Sequence, residues 1–230
     1  MQSSDPHKPS AAAKADMTIE QVLDLWKTGF MAAEQTKLPP EIKERLLTAE
    51  THARAAAARV SQQDANRALP ALSMAASSST SGKRVLWLHK AAQALADAYG
   101  PHSACQRGCA HCCHIPVTIS QAEAVFIGRQ IGKRPVAPEH LTPEPLVDGY
   151  TSPCPFLVNN DCSIYAHRPM VCRYHMNLDR DDLLCRLITG VAVPVPYLDT
   201  RLLTMASIDI LGASQPLADL RQWFPPENTV

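Results

Sequence analysis

The chain has 230 residues, enough for one large domain or two small ones, and its 22 basic residues balance 22 acidic ones. This neutral charge gives no sign of a nucleic-acid partner, and no apolar stretch approaches the roughly 18 residues that a membrane span requires. The first ten residues lack the apolar core of a signal peptide, so we expect a cytoplasmic protein without nucleic-acid or membrane partners.

The first 82 residues predict a helical arm and a linker. Residues 1–16 are polar and contain prolines, which predicts a disordered tail. Residues 17–69 predict a helical hairpin, whose second helix runs from Glu41 to about Leu69. The apolar stripe of the first helix comprises Val22, Leu23, Trp26 and Phe30. Residues 70–82 are rich in serine and alanine and predict a flexible linker, so the N-terminal helices are a candidate surface for a protein partner.

Residues 83–230 predict a separate cysteine-cluster domain. A third helix over about 83–99 ends at a Gly-Pro pair, and Ser120 with Glu123 has the spacing of a capping box that begins another helix. The tail from residue 197 predicts one or two short helices, and no strand pattern is strong. We therefore expect a mainly α fold, with a helical N-terminal part and a loop-rich module stabilised by metal.

The cysteines are the most informative feature of the chain. All eight lie between residues 105 and 185: Cys105, Cys109, Cys112, Cys113, Cys154, Cys162, Cys172 and Cys185. Such density indicates either a disulfide framework or a metal site. A reducing cytosol and the long cysteine-free helical half favour metal, although an even number of cysteines also suits disulfides.

The spacing of the first block suits metal coordination. Cys105, Cys109 and Cys112 are separated by three and two residues, so one turn can bring their sulfur atoms to the same side. Cys112 and Cys113 are adjacent, so one of them is expected to serve a second site, to bridge two metals or to stay free. His111, His114 and His175 are alternative ligands. Zinc, iron and an iron–sulfur cluster all remain open.

The same spacing also occurs in radical S-adenosylmethionine enzymes, where three thiolates hold a four-iron cluster. Those enzymes place the motif after the first strand of a βα barrel. Only 118 residues follow Cys112 here, and prolines interrupt them, so this alternative is disfavoured.

Two separated motifs together resemble the YkgJ-type cysteine-cluster family, which is described as a zinc- or iron-chelating domain. The first motif is Cys105-x3-Cys109-x2-Cys112-Cys113, and the second runs from Cys154-Pro-Phe-Leu to Cys172-Arg. The resemblance covers about residues 100–190 and implies metal binding through the cysteines. Within the second motif, Tyr165, Arg168 and Arg173 are candidate cofactor-binding residues, because guanidinium groups offset thiolate charge.

Three functional hypotheses follow. The first is a metal or iron–sulfur protein that serves as a redox or cofactor-handling accessory. The second is a metal-dependent enzyme of protein modification, since a related cysteine cluster occurs in flagellin lysine methylases. The third is a structural zinc module that presents the N-terminal helices to a partner.

Overall fold

The computed structural model describes residues 38–138, 153–188, 191 and 193–226. This part of the chain is mainly α-helical, as predicted, with four short strands. None of its helices combines the length and the apolar character that crossing a membrane requires. The predicted N-terminal tail and the apolar stripe of the first predicted helix lie outside the described residues.

Within the described residues, four α-helices precede the first cysteine: α1 Pro40–Ala57, α2 Gln62–Ala65, α3 Ala68–Ser77 and α4 Ser81–Tyr99. The hydroxyls of Ser61 and Thr80 accept backbone N–H groups from the first turns of α2 and α4, which satisfies donors that lack a helical partner. The prediction of one continuous helix over 41–69 is therefore wrong, because the polar segment at Ser61 ends one helix and begins another.

The prediction of a flexible linker over 70–82 is also wrong. Residues Ala68–Ser77 form α3, and α4 begins at Ser81. Pro70 lies in the first turn of α3, where a missing N–H breaks no helical hydrogen bond. The three alanines that α3 buries lie against α4. The small, polar composition that indicates a linker is thus also the composition of a closely packed helix.

The second half contains the remaining helices and strands: β1 Thr118–Ser120, α5 Gln121–Ile131, β2 Leu157–Val158, β3 Asp161–Cys162, α6 Met170–Tyr174, α7 Arg201–Leu211, β4 Leu217–Asp219 and α8 Leu220–Trp223. Strand β1 pairs antiparallel with β4, with Ile119 opposite Ala218. Strands β2 and β3 form a hairpin through Asn159 and Asn160, whose φ angles of 51° and 61° suit a tight turn. The helices after residue 197 confirm the helical tail.

Three apolar clusters support these elements. The first joins α3 and α4 to α6 through residues such as Ala75, Leu88 and Met170. The second surrounds Ile119 and Trp223, and Cys154 and Cys162 pack against its edge. Both clusters therefore contact the segments that carry the second cysteine block.

The third apolar cluster packs α1 against the segment that carries Cys185. Ile42 and Ala49 of α1 are buried with Leu184 and Val191. Leu184 directly precedes Cys185 in the sequence. Helix α1 is thus anchored to the segment that contains the last cysteine of the chain.

A buried carboxylate links α4, α5 and α6. Ser120 accepts the Glu123 N–H at 3.2 Å, as expected for the start of α5. The Glu123 carboxylate does not complete the capping box, because Oε1 accepts from Met170 N at 2.6 Å and lies 2.7 Å from His89 Nε2. Glu123 therefore fixes the start of α6, the helix that carries Cys172.

Candidate metal centre

The first cysteine block forms a turn followed by a short helix. Cys109 N–H donates to Gln106 O at 3.1 Å, and Gly108 inside this turn has φ +85°, a value that side chains disfavour. Residues His111–His114 then form one turn of 3₁₀ helix. The adjacent thiols of Cys112 and Cys113 thus lie on the same rigid turn.

The second cysteine block comes from three separate segments. Cys154 precedes the β2–β3 hairpin and Cys162 ends it, so the tight asparagine turn returns the chain toward its start. Cys172 lies within α6, and Cys185 ends a 3₁₀ turn that begins at Leu183. Regular secondary structure alone does not hold these segments together.

The two blocks meet in space. Cys154 N–H donates to Cys113 O at 2.7 Å, which joins the blocks through their backbones. A cavity of about 440 Å³ is lined by six cysteines: Cys109, Cys112, Cys113, Cys154, Cys162 and Cys172. All eight cysteines lie in the described part of the chain, and all eight are free thiols. The prediction that both blocks converge is therefore confirmed.

Asn177 joins the two cysteines that do not line the cavity. Its backbone N–H donates to Cys105 Sγ at 3.4 Å, and its side-chain Nδ2 donates to Cys185 Sγ at 3.3 Å. The residue is almost fully buried, with 1% of its surface exposed. No sequence spacing marked Asn177, because its role depends on the path of the folded chain.

We call Cys105, Cys109 and Cys185 the first sulfur group: Asn177 donates to Cys105 and Cys185, and Cys109 lies beside Asp182, which directly precedes the turn that ends at Cys185. Cys154, Cys162 and Cys172 are the second sulfur group, and all three line the cavity, as Cys109 and Cys112 also do. The adjacent Cys113 side chain raises the pKa of Cys112.

Burial raises the pKa of the Cys154, Cys162 and Cys172 thiols and so favours their protonated form. It raises the pKa of Cys172 well above the ordinary value, and the nearby Cys112 charge adds to this effect. Burial and the Cys105 charge raise the pKa of Cys185 to about 12. Neutral thiols become good ligands when a cation replaces their protons, so metal binding at this centre would release protons.

Two of the three predicted cofactor-binding residues line the cavity. The Arg168 guanidinium lies 3.8 Å from the centroid of the Tyr165 ring, which is 63% exposed. Arg168 lowers the pKa of Cys105, Cys112 and Cys162, although burial raises each of them. Its Nε is buried, and no partner for it is found within the described ranges.

Arg173, the third predicted cofactor-binding residue, contacts the loop that carries Tyr165 and Arg168. Its guanidinium donates to Ala166 O at 2.8 Å and to Gln93 Oε1 at 2.9 Å, and its Nε donates to Arg168 O at 3.2 Å. These bonds tie the 165–168 loop to α4 and α6. Arg173 is therefore placed to act on the cavity through the backbone of Arg168.

The three histidines considered as alternative ligands have different surroundings. His111 lies with Cys109 and Asp182, and one potential donor atom from each residue lies within 4.8 Å of the others. The His175 ring instead stacks on Tyr197, with ring centroids 3.9 Å apart. His114 ends the 3₁₀ turn that His111 begins. Asp182 was not expected from the sequence, since carboxylates are common in loops and no spacing distinguishes this one.

The residues present fit a thiophilic metal. The thiols are free, Asn177 donates to the sulfur atoms of Cys105 and Cys185, and a guanidinium at the cavity can balance thiolate charge. Sulfur ligands of this kind suit zinc, iron and iron–sulfur clusters.

Comparison with known proteins agrees with this chemistry. Residues 104–186 match the family model described as "CxxCxxCC: Putative zinc- or iron-chelating domain". Searches of curated proteins and of solved structures found no match. The resemblance to a metal-chelating cysteine cluster is thus confirmed for this segment, and it supports metal binding without specifying the metal.

Proposed function

We propose that this protein holds zinc, iron or an iron–sulfur cluster with its eight cysteines as ligands, and that it serves as a redox or cofactor-handling accessory. The convergence of both cysteine blocks as free thiols is the observation that carries this proposal. A metal bound there would supply charge neutralisation for the thiolates and, with iron, an electron-accepting centre.

The surroundings of the sulfur atoms support the accessory role. Hydrogen bonds from Asn177 to two sulfur atoms and the charge of Arg168 both stabilise electron-rich thiolates, and such interactions tune a metal centre. Tyr165 at the cavity is well exposed, so a partner or ligand can approach this side. We assign Arg168 and Tyr165 to contact the bound centre and Arg173 to hold their loop.

Purified protein should contain stoichiometric metal that depends on both sulfur groups. We expect anaerobically purified protein to carry at least one zinc or iron per chain, with visible absorption if the centre is an iron–sulfur cluster. Replacing Cys154 and Cys162 together by serine should remove most of the metal bound by the second sulfur group. Elemental analysis with an absorption spectrum gives the result.

Met74→Ser is a suitable control, because Met74 is half exposed on α3, away from the thiols. It should leave the metal content unchanged. Wild-type protein that binds neither zinc nor iron under anaerobic conditions, even after reconstitution, contradicts the proposal.

An enzyme at the same centre is the second candidate function. The observation that favours it is the size of the cavity, about 440 Å³, with the apolar side chains Val117, Phe156 and Leu220 beside the thiols. This space is sufficient for a small substrate group as well as a metal.

Ligand binding distinguishes the two candidates. An enzyme of this kind needs a coordination position that a substrate can reach, so azide added to iron-loaded protein should shift the absorption spectrum. An accessory in which cysteines fill every position should give an unchanged spectrum.

A further inference from the structure

Donors other than sulfur lie at one edge of the first sulfur group. One potential donor atom each from Cys109, His111 and Asp182 lies within 4.8 Å of the other two. His111 Nε2 lies 3.2 Å from Asp182 Oδ2. The side chains of His111 and Asp182 are 32% and 41% exposed, so a hydrated ion can reach them.

The backbone brings these three residues together from two distant segments. The turn containing Gly108 places Cys109, and the 3₁₀ helix that follows begins at His111. Asp182 directly precedes the 3₁₀ turn Leu183–Cys185. The carboxylate is therefore attached to the segment whose last residue belongs to the first sulfur group.

The distances suit a single ion. Donors in a tetrahedral zinc site lie about 2.0–2.3 Å from the metal, so neighbouring donors lie roughly 3.3–3.8 Å apart. Atoms within 4.8 Å of one another reach that arrangement through small side-chain rotations. A water molecule or another cysteine of the first block can supply a fourth ligand.

We propose that Cys109, His111 and Asp182 form a mixed sulfur, nitrogen and oxygen site for a divalent ion such as Zn²⁺, separate from the all-cysteine second sulfur group. This inference rests on the proposed function, because it divides the metal centre into two sites of different chemistry. Imidazole and carboxylate ligands accept zinc and cobalt readily, whereas a set of thiolates alone also suits iron–sulfur clusters.

The test is an anaerobic titration of the metal-free full-length protein with Zn²⁺ and with Co²⁺. Wild-type protein should show two classes of metal-binding site. Asp182→Asn and His111→Gln should each lower the metal affinity of one class at least about 100-fold. The cobalt class lost in these variants should show weaker sulfur-to-cobalt charge-transfer absorption than the class that remains, because fewer sulfur atoms bind that ion.

Two controls match the two variants. Asp209→Asn changes an exposed carboxylate on α7, and His102→Gln changes a histidine of the 3₁₀ turn that follows α4. Both should keep the two classes of the wild type. The metal class that remains in Asp182→Asn also shows that this variant is folded.

Three results overturn the inference or its basis. If Asp182→Asn and His111→Gln bind both classes as tightly as the wild type, the mixed site is absent while the proposed function stands. If either variant loses both classes together, the centre is a single cluster. If wild-type protein binds neither Zn²⁺ nor Co²⁺, the mixed site is absent, and if it also binds no iron after anaerobic reconstitution, the proposed function itself fails.

Discussion

Removing the metal should loosen the cysteine region far more than helix α4. Bound structural metal contributes on the order of 10 kcal/mol to folding in small thiolate sites. Here the segments that carry the cysteines are loops, two-residue strands, single 3₁₀ turns and the five-residue helix α6, with no disulfide to hold them. Helix α4 instead has an apolar cluster of its own, including Leu88.

Hydrogen exchange measures this difference. After chelation of the reconstituted protein, amides of residues 104–114 and of the β2–β3 hairpin should exchange orders of magnitude faster, while the buried face of α4 changes much less. The control is the variant in which Cys154 and Cys162 are both serine, for which chelator should change the hairpin little. Equal loss of protection throughout the described chain would show that metal and helices form one cooperative unit.

Replacing Arg45 should destabilise the protein strongly, because it would take a buried carboxylate's cation away. Arg45 lies on α1 and is 6% exposed, and its guanidinium contacts Asp179 at 2.9 Å and Asp181 at 2.7 Å. The Asp179 side chain is fully buried and also lies 2.7 Å from His52 Nδ1. Arg45→Ala leaves that carboxylate with His52 alone, so we expect a loss of about 3 kcal/mol.

The effect should extend to the metal centre. Asp179 N–H donates to Asn177 Oδ1 at 2.8 Å, and Asn177 in turn donates to Cys105 and Cys185. Loosening this chain of contacts should speed metal dissociation from the first sulfur group. Urea unfolding gives the stability, and transfer of metal to a chromogenic chelator gives the dissociation rate.

Arg54 provides the matched control on the same helix. It is 79% exposed and pairs with Glu50 one turn earlier, so Arg54→Ala should cost no more than about 0.5 kcal/mol. The loss of stability in Arg45→Lys should lie between those of Arg45→Ala and Arg54→Ala. Lysine keeps the charge but lacks the planar fork with which Arg45 contacts both Asp181 oxygens. Similar losses for Arg45→Ala and Arg54→Ala would contradict a structural role for the buried pair.

The sequence predicted the features that depend on local pattern. The mainly α fold, the start of α5 at Ser120 and the helical tail follow from capping residues and periodicity, which act within a few positions. The convergence of the cysteines could be predicted from chemistry, because thiols at these spacings can bind a metal together. Metal ligation by each cysteine stays a prediction, as does the protein partner of the N-terminal helices.

Features that depend on the folded path were not predictable. Asn177 and Asp182 lie at the centre because the chain after α6 returns to the first cysteine block. The spacing of residues in the sequence does not indicate that return. The segment over 70–82 has the composition of a linker, yet its alanines fit closely against α4. Composition shows that these side chains are small. Tertiary packing decides whether a segment of small side chains is a flexible linker or a closely packed helix.

The pairing of β1 with β4 has a consequence for how the protein is made. These strands are roughly 100 residues apart, so at ordinary rates of synthesis β1 waits about 5–20 s before β4 leaves the ribosome. Cys105 to Cys113, which precede β1, emerge earlier still. All eight cysteines precede β4, so the nascent chain displays its complete set of thiols to the cellular metal pool before the strand that closes the fold exists.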